Sequence, residues 1–457
     1  MTLAGARRVH FVGIGGAGMS AIAKVLVERG IEVTGSDLKR SRAATVLEAM
    51  GAGVHVGHDA GLVEGADAVV VSSAIPERNP ELAAARAAGI PVVTRGEALA
   101  AVLSDTRAIV VAGTHGKTTT TSMIVSILRA AGRDPTYLVG GGLNDAGTNA
   151  RFGRDDVAVA ESDESDGSFL LLQPHVAVVT NVEADHVDYW PSLDELRAAF
   201  ARFMGRVPPD GAVVVPADDD AVVAAARATG RRVVRFGDGG EVRASGVSFG
   251  GGGARFTLHA PGGDADVTLR VPGMHNVLDA LAAAAAALET GADVASAARG
   301  LGDYAGVERR FHVRGRVRGV TVIDDYAHHP TEVRATLAAA RPGPWRRVVA
   351  VFQPHRYSRT RAFAREFGAA FEDADRVVVT DVYGAGEQPQ PGVSGKLVAD
   401  AVCAALPGRP VAYLPHRDEL LSYVVATARP GDALLTLGAG DVTTVGEEVL
   451  ARLGAGP

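Results

Sequence analysis

The chain has 457 residues, which at roughly 100–200 residues per domain predicts two to four domains. Hydrophobic residues make up 47% of it, enough for several buried cores, which excludes global disorder. A formal net charge of -7 and a pI near 6.0 argue against nucleic acid as the main partner. The single cysteine, Cys403, excludes an internal disulfide, fits a reducing compartment, and is expected to be a buried core thiol. Arg7 and Arg8 precede only a short apolar run that ends in glycines, so no secretory signal is expected. No stretch of about 18 apolar residues occurs, so no membrane partner is expected and the cytoplasm is the expected compartment.

Three successive blocks show the strand–loop–helix rhythm of α/β folds. The first, residues 1–105, begins with a strand over 9–12. It runs into Gly13-Ile14-Gly15-Gly16-Ala17-Gly18, a helix over 19–28 stopped by Gly30, and a second strand over 31–34 that ends near Asp37. Further strands read at 68–71 and 91–94. The glycines follow the G-x-G-x-x-G pattern, and Asp37 lies 19 residues beyond Gly18. That pattern places a pyrophosphate at a helix N-terminus and an acid near a ribose. A UDP-sugar meets this demand as well as NAD does.

The second block, residues 106–312, opens with a strand over 108–112 and the loop Gly113-Thr114-His115-Gly116-Lys117-Thr118. A helix over 119–131, closed by Gly132, follows. Backbone N–H groups at such a loop face outward, and the helix dipole favours anions. Lys117 can reach the β- and γ-phosphates of ATP, and the Thr118 hydroxyl can bind Mg²⁺. The loop is a shorter variant of the general P-loop, whose first glycine would fall at Val111. Lysine occurs elsewhere only at positions 24, 39 and 396, so its use here suggests a specific demand. Strands over 157–160 and 176–180 end in Glu161 and in Thr180-Asn181-Val182-Glu183-Ala184-Asp185-His186. In an open parallel sheet, ligands bind at the carboxyl ends of strands. Glu161 is therefore a metal candidate and His186 a weaker one, whereas Asp163, Glu164 and Asp166 taken alone read as a solvated acidic loop. Residues 231–272 read as an antiparallel excursion, and an Ala-rich helix over 276–289 closes the unit.

The third block, residues 313–457, carries strands over 320–323, 348–352, 377–380, 411–414 and 433–437, with helices between, and reads as another parallel sheet. Asp324-Asp325-Tyr326-Ala327-His328-His329-Pro330 follows its first strand. Gln353-Pro354-His355-Arg356-Tyr357-Ser358-Arg359-Thr360 follows its second. Arg and His suit phosphate and carboxylate binding, and Tyr326 can stack on a base. Arg361 and Arg365 read as surface residues.

Together these motifs, with His275-Asn276 and in this order, resemble the Mur ligase family over essentially the whole chain. The resemblance implies a Rossmann-like UDP-sugar domain, a central P-loop ATPase domain and a Rossmann-like C-terminal domain that closes over the site. It implies an ATP-dependent, amide-forming ligase of peptidoglycan synthesis, in the branch that adds L-alanine to UDP-N-acetylmuramate. The nearest alternative is the branch that adds a preformed tripeptide to the same sugar. An NAD-dependent oxidoreductase would leave the 113–118 loop idle, and a nucleotide sensor would never release phosphate. Carried onto this chain, Gly13, Gly15, Gly16, Ala17, Gly18, Met19, Ser20, Asp37 and Ser72 would bind the UDP-sugar. Gly113, Thr114, His115, Gly116, Lys117, Thr118 and Thr119 would hold the ATP phosphates. Asn276 would meet adenine, Arg310 and Asp325 the ribose, and Tyr326 the base. Thr118, Glu161 and His186 would hold Mg²⁺. The catalytic and substrate groups would be Lys117, His186, His328, His355, Arg356 and Arg359, with His186 or His328 as the base for the amine. Several relatives hold a second Mg²⁺ with a carbamoylated lysine. This chain has none between Lys117 and Lys396, and Glu183 or Asp185 is the expected substitute. A monomer or homodimer is expected.

Overall fold

The computed structural model describes residues 3, 5–72, 74–142, 144, 148–186 and 189–455. Its strands form three parallel-rich sheets and one small antiparallel sheet. In the first sheet the spatial order is Gly53–Val56, Glu32–Asp37, Arg8–Val12, Ala68–Val71, Val92–Thr94, all parallel. This 3-2-1-4-5 order reverses direction beside Arg8–Val12, and the glycine loop leaves that strand at the crevice the reversal opens. Ser72, by contrast, ends the neighbouring strand and accepts from the Ala74 amide at 3.3 Å.

Seven strands build the central sheet, in the order Arg232–Phe236, Ala212–Pro216, Val176–Val179, Arg107–Ala112, Val157–Glu161, Thr136–Leu138, Ala150–Arg151. Only the last pair is antiparallel. Side chains alternate across this sheet. Ala108, Val110 and Ala112 pack into a core continuous with the first domain, whereas Ile109 and Val111 pack against the helices Lys117–Ala130 and Met274–Leu288. Burial on both faces explains why the central strands are unbroken apolar runs rather than alternating ones. The antiparallel excursion begins later than expected. Arg232–Phe236 is a parallel edge strand of the main sheet, and the three-stranded sheet comprises Arg243–Gly250, Gly253–Ala260 and Gly263–Leu269.

In the third domain the order is His312–Val317, Val320–Asp325, Asp432–Leu437, Arg347–Phe352, Arg376–Val379, Val411–Tyr413. Its first strand pairs antiparallel through a tight turn at Arg318 and Gly319, so the sheet is mixed, not purely parallel. Cys403 is exposed, contrary to the expected core thiol. The helix Gly395–Ala405 buries Val398, Ala399 and Val402, and the helical period turns Cys403 off that stripe. No helix among the described residues is long and apolar enough to cross a membrane.

Candidate active site at the domain junction

Two cavities flank the loop that starts at Gly113. One, of about 480 Å³, is lined from all three domains, by Ala17, Lys117, Glu161, His186, His328 and Arg356 among others. The other, of about 690 Å³, lies between the central and third domains and is lined by Phe236, Asn276, Leu278, Asp279, Arg310 and Asp325 among others. Gly116 and His115 border both, so one loop lies between a polar chamber and a larger cleft suited to a base and ribose.

The loop is held by glycine geometry. Gly113 and Gly116 have φ of 138° and 79°, and a β-carbon would collide with Thr180 Oγ1 at the first and with Asp279 Oδ1 at the second. Asn181 Oδ1 accepts from the His115 amide at 2.9 Å, and Thr180 Oγ1 donates to the His115 carbonyl at 2.5 Å. The helix Lys117–Ala130 starts with no side-chain cap, leaving its first amides to an anion. Lys117 Nζ donates to Gly113 O at 2.6 Å and to Glu164 Oε2 at 2.9 Å. Burial opposes its charge, but Glu164 and Asp163 raise it above the ordinary lysine value, so it stays cationic. Glu164 is fully buried rather than solvated, a correction to the surface reading of this segment, and Trp190 Nε1 donates to its carbonyl at 2.9 Å.

Thr118 Oγ1 lies 3.0 Å from Glu161 Oε1, and Glu161 Oε2 accepts from the Gly140 amide at 2.8 Å. Two hard oxygen donors thus meet at the mouth of the phosphate loop, a set that fits Mg²⁺. His186, at φ 51°, places Nε2 3.4 Å from Glu164 Oε1. Asp163, Glu164 and His186 bring ligand atoms within 4.8 Å of one another. Burial lowers the His186 ring, but Glu164 and Asp185 outweigh it and hold it above its ordinary value. The two expected lysine substitutes both make contacts to the third domain. Glu183 Oε2 accepts from Thr331 Oγ1 at 2.7 Å, and Asp185 is bound by Arg359.

From the third domain, Arg359 grips Asp185 through Nη2 at 2.9 and 3.0 Å, with both side chains 6% exposed. It thus ties two domains together, while Arg356 borders the polar chamber at φ 67°. His328 donates Nδ1–H to Tyr326 O at 3.0 Å, and burial pushes its ring down to about 4. Burial, with His328 beside it, pushes His355 down to about 3, and His355 stacks on Tyr383 at 5.8 Å. Both rings are therefore neutral near pH 7. Asn276, Arg310 and Asp325 line the larger cleft together. Tyr326 does not join them. It lines the polar chamber, its ring covered by Arg309 at 4.9 Å and Arg310 at 5.2 Å. Asp325, raised to about 6 by burial, accepts from the amides of Phe311 at 2.7 Å and Ala327 at 2.8 Å, so it shapes its own turn.

In the first domain, Asp37 Oδ2 accepts from the Gly15 amide at 2.9 Å, which folds the expected ribose ligand onto the glycine loop. Met19 and Ser20 are buried in the helix Ala17–Glu28, and Ser20 donates to Ala17 O. Their side chains face the core, while the helix start after Gly16 has no side-chain cap. Sequence reasoning missed Glu332, Asp279 and the run Gly140-Gly141-Gly142. The triple glycine directly after an apolar stretch was the available signal.

These features define a P-loop enzyme whose reacting groups are drawn from three domains. Three family profiles match the chain in succession: "Mur ligase family, catalytic domain" over residues 8–107, "Mur ligase middle domain" over 111–287, and "Mur ligase, glutamate ligase domain" over 309–440. The UDP-N-acetylmuramate–L-alanine ligase of Rubrobacter xylanophilus is 53% identical over 449 residues, 98% of this chain and 100% of that protein. Among solved structures, the UDP-N-acetylmuramate–alanine ligase of Thermotoga maritima is 30% identical with a TM-score of 0.82, covering 98% of this chain and 100% of that one. A murein peptide ligase from Psychrobacter arcticus is 26% identical with a TM-score of 0.72, covering 98% and 99%. The chain belongs to the Mur ligase family.

Proposed function

We propose that this chain joins L-alanine to the lactoyl carboxylate of UDP-N-acetylmuramate, consuming ATP, in cytoplasmic peptidoglycan-precursor synthesis. The observation that carries the reading is the polar chamber. It sets the cationic Lys117, the Thr118–Glu161 pair and the neutral His328 around one space reached from the first domain. The 53% identity to an L-alanine ligase across the whole chain supports the same substrates.

The chemistry follows from the arrangement. A carboxylate is a poor electrophile, so a lactoyl oxygen attacks the γ-phosphorus, ADP departs, and an acyl phosphate results. The alanine nitrogen then attacks the acyl carbon, the C–O bond to phosphate breaks, and inorganic phosphate leaves with the former carboxylate oxygen. Phosphoryl transfer of this kind is positioning plus charge neutralisation. The uncapped helix start at Lys117 and the Lys117 ammonium oppose the phosphate charge. Thr118 and Glu161 would hold Mg²⁺, with His186 beside them, and the bound ion supplies further neutralisation of the phosphates. His328 accepts the amine proton at Nε2, because its Nδ1–H is already committed to Tyr326 O. Glu164 and Asp185 favour the protonated form of His186, which leaves that ring less free to take up the amine proton. The uncapped amides of the helix Ala17–Glu28 suit the UDP pyrophosphate.

The alternative within the family is addition of a preformed tripeptide. Phosphate release with ATP, Mg²⁺ and UDP-N-acetylmuramate, scanned over L-alanine, glycine, L-serine and tripeptide, separates the two. L-alanine is expected to give the highest kcat/KM, and a tripeptide optimum would replace the proposal.

A further inference from the structure

We propose that His115 is a positioning residue that locks the third domain over the ATP loop, its ring clamped between Glu183 of the central domain and Glu332 of the third. The proposal rests on the ligase reading only for the identity of the nucleotide.

His115 is the third residue of the phosphate loop, and its ring reaches a glutamate of the neighbouring domain. Nδ1 lies 3.2 Å from Glu332 Oε1, and Nε2 lies 3.6 Å from Glu183 Oε2. The His329 ring packs against it at 4.7 Å. The loop backbone cannot yield, because Asn181 and Thr180 hold the amide and carbonyl of this same residue. Glu332 divides its two oxygens. Oε2 accepts from the amides of His328 at 3.0 Å and His329 at 3.2 Å, capping the helix Pro330–Ala340, while Oε1 faces His115. Thr331 completes the clamp by donating to Glu183 Oε2 at 2.7 Å.

His115, Glu183 and His329 also bring ligand atoms within 4.8 Å of one another, as a metal site would. Tautomers exclude that use. His329 Nδ1 accepts from the Thr331 amide at 3.3 Å, so in the neutral ring the proton sits on Nε2, which cannot then ligate. Burial and the neighbouring His115 charge keep His329 low and neutral. The other charged group facing the pair is Arg310, whose Nη1 lies 3.8 Å from Glu332 Oε1. Burial lowers the His115 ring, but the two glutamates outweigh it and raise it to about 9, so it is a cation at neutral pH.

The His115 and Glu332 side chains are each 12% exposed. Breaking a buried pair of this kind by removing one partner is strongly destabilising to the contact that contains it. Opening the third domain would separate His115 from Glu332 and Thr331 from Glu183 together. Closure therefore positions His328, whose amide donates to Glu332 at 3.0 Å, over the phosphate loop.

The test uses the full chain, with one dye on the exposed Cys403 and one on a cysteine placed at the exposed Asp210 of the central domain. Energy transfer reports closure on addition of ATP and UDP-N-acetylmuramate. His115→Gln and Glu332→Gln are each expected to reduce closure and raise KM for ATP about tenfold. The double variant is expected to be no worse than either single one, because the two residues act through one contact. Glu332→Gln keeps a capping side chain, so its unfolding temperature reports whether the fold is intact. Wild-type closure in both variants would overturn the proposal. So would effects that multiply in the double variant, or a lowered unfolding temperature with closure unchanged. A wild-type protein that closes yet makes no ADP would sink the ligase reading and leave the lock standing.

Discussion

Glycine at position 116 is dictated twice, by its positive φ and by the Asp279 carboxylate pressed against it. That carboxylate accepts from Thr120 Oγ1 at 3.2 Å, and burial raises it to about 7. The folded protein thus holds this proton more tightly than the unfolded chain, whose value is about 4. The associated stability is full below about pH 4 and lost as pH rises through about 7. Asp279→Asn should therefore raise stability near pH 8 by about 1–3 kcal/mol and change it little near pH 4, as thermal melts at the two pH values would show. Lys117 makes a sharper prediction. Lys117→Ala should lower amide formation by orders of magnitude while calorimetry still finds UDP-N-acetylmuramate binding, because the first domain is untouched. Unchanged turnover would defeat the phosphate-loop assignment. Lys117, Thr118 and Glu161 were legible in the sequence because each sits beside a strand end in a recognisable run. Glu332 was not, because its partner His115 lies 217 positions away and no local pattern links them.

At the scale of elements, several of the buried strands were readable. Arg107–Ala112, Val157–Glu161 and Arg347–Phe352 were expected to within a residue, because burial on both faces writes them as apolar runs. The edge strands Gly53–Val56 and Ala150–Arg151 were not, since the first is short and mostly exposed and the second only two residues long. Ala212–Pro216 is fully buried but ends in proline, a residue that reads as a break. Helix starts carry their own signals. Thr94 and Glu97 form a complete capping box ahead of Arg95–Leu103, the helix whose Arg95 reaches Asp166 at 3.4 Å. Thr94→Ala should cost about 1 kcal/mol, read as a lowered midpoint in chemical denaturation.

Across the whole molecule, function depends on three domains meeting. The first two share a continuous apolar core, whereas the third is held to the central domain by polar grips at Glu183 and Asp185. Fold class and domain order followed from the repeated α/β rhythm. How the third domain seats did not, because ionic contacts between distant loops leave no periodicity. The account's central claim is that the γ-phosphoryl group of ATP passes to a substrate carboxylate in the chamber at this junction. UDP-N-acetylmuramate labelled with oxygen-18 in both lactoyl carboxylate oxygens tests it most directly. With ATP and L-alanine present, mass spectrometry of the released phosphate should find one labelled oxygen per molecule. Phosphate released at the same rate without label would contradict the account.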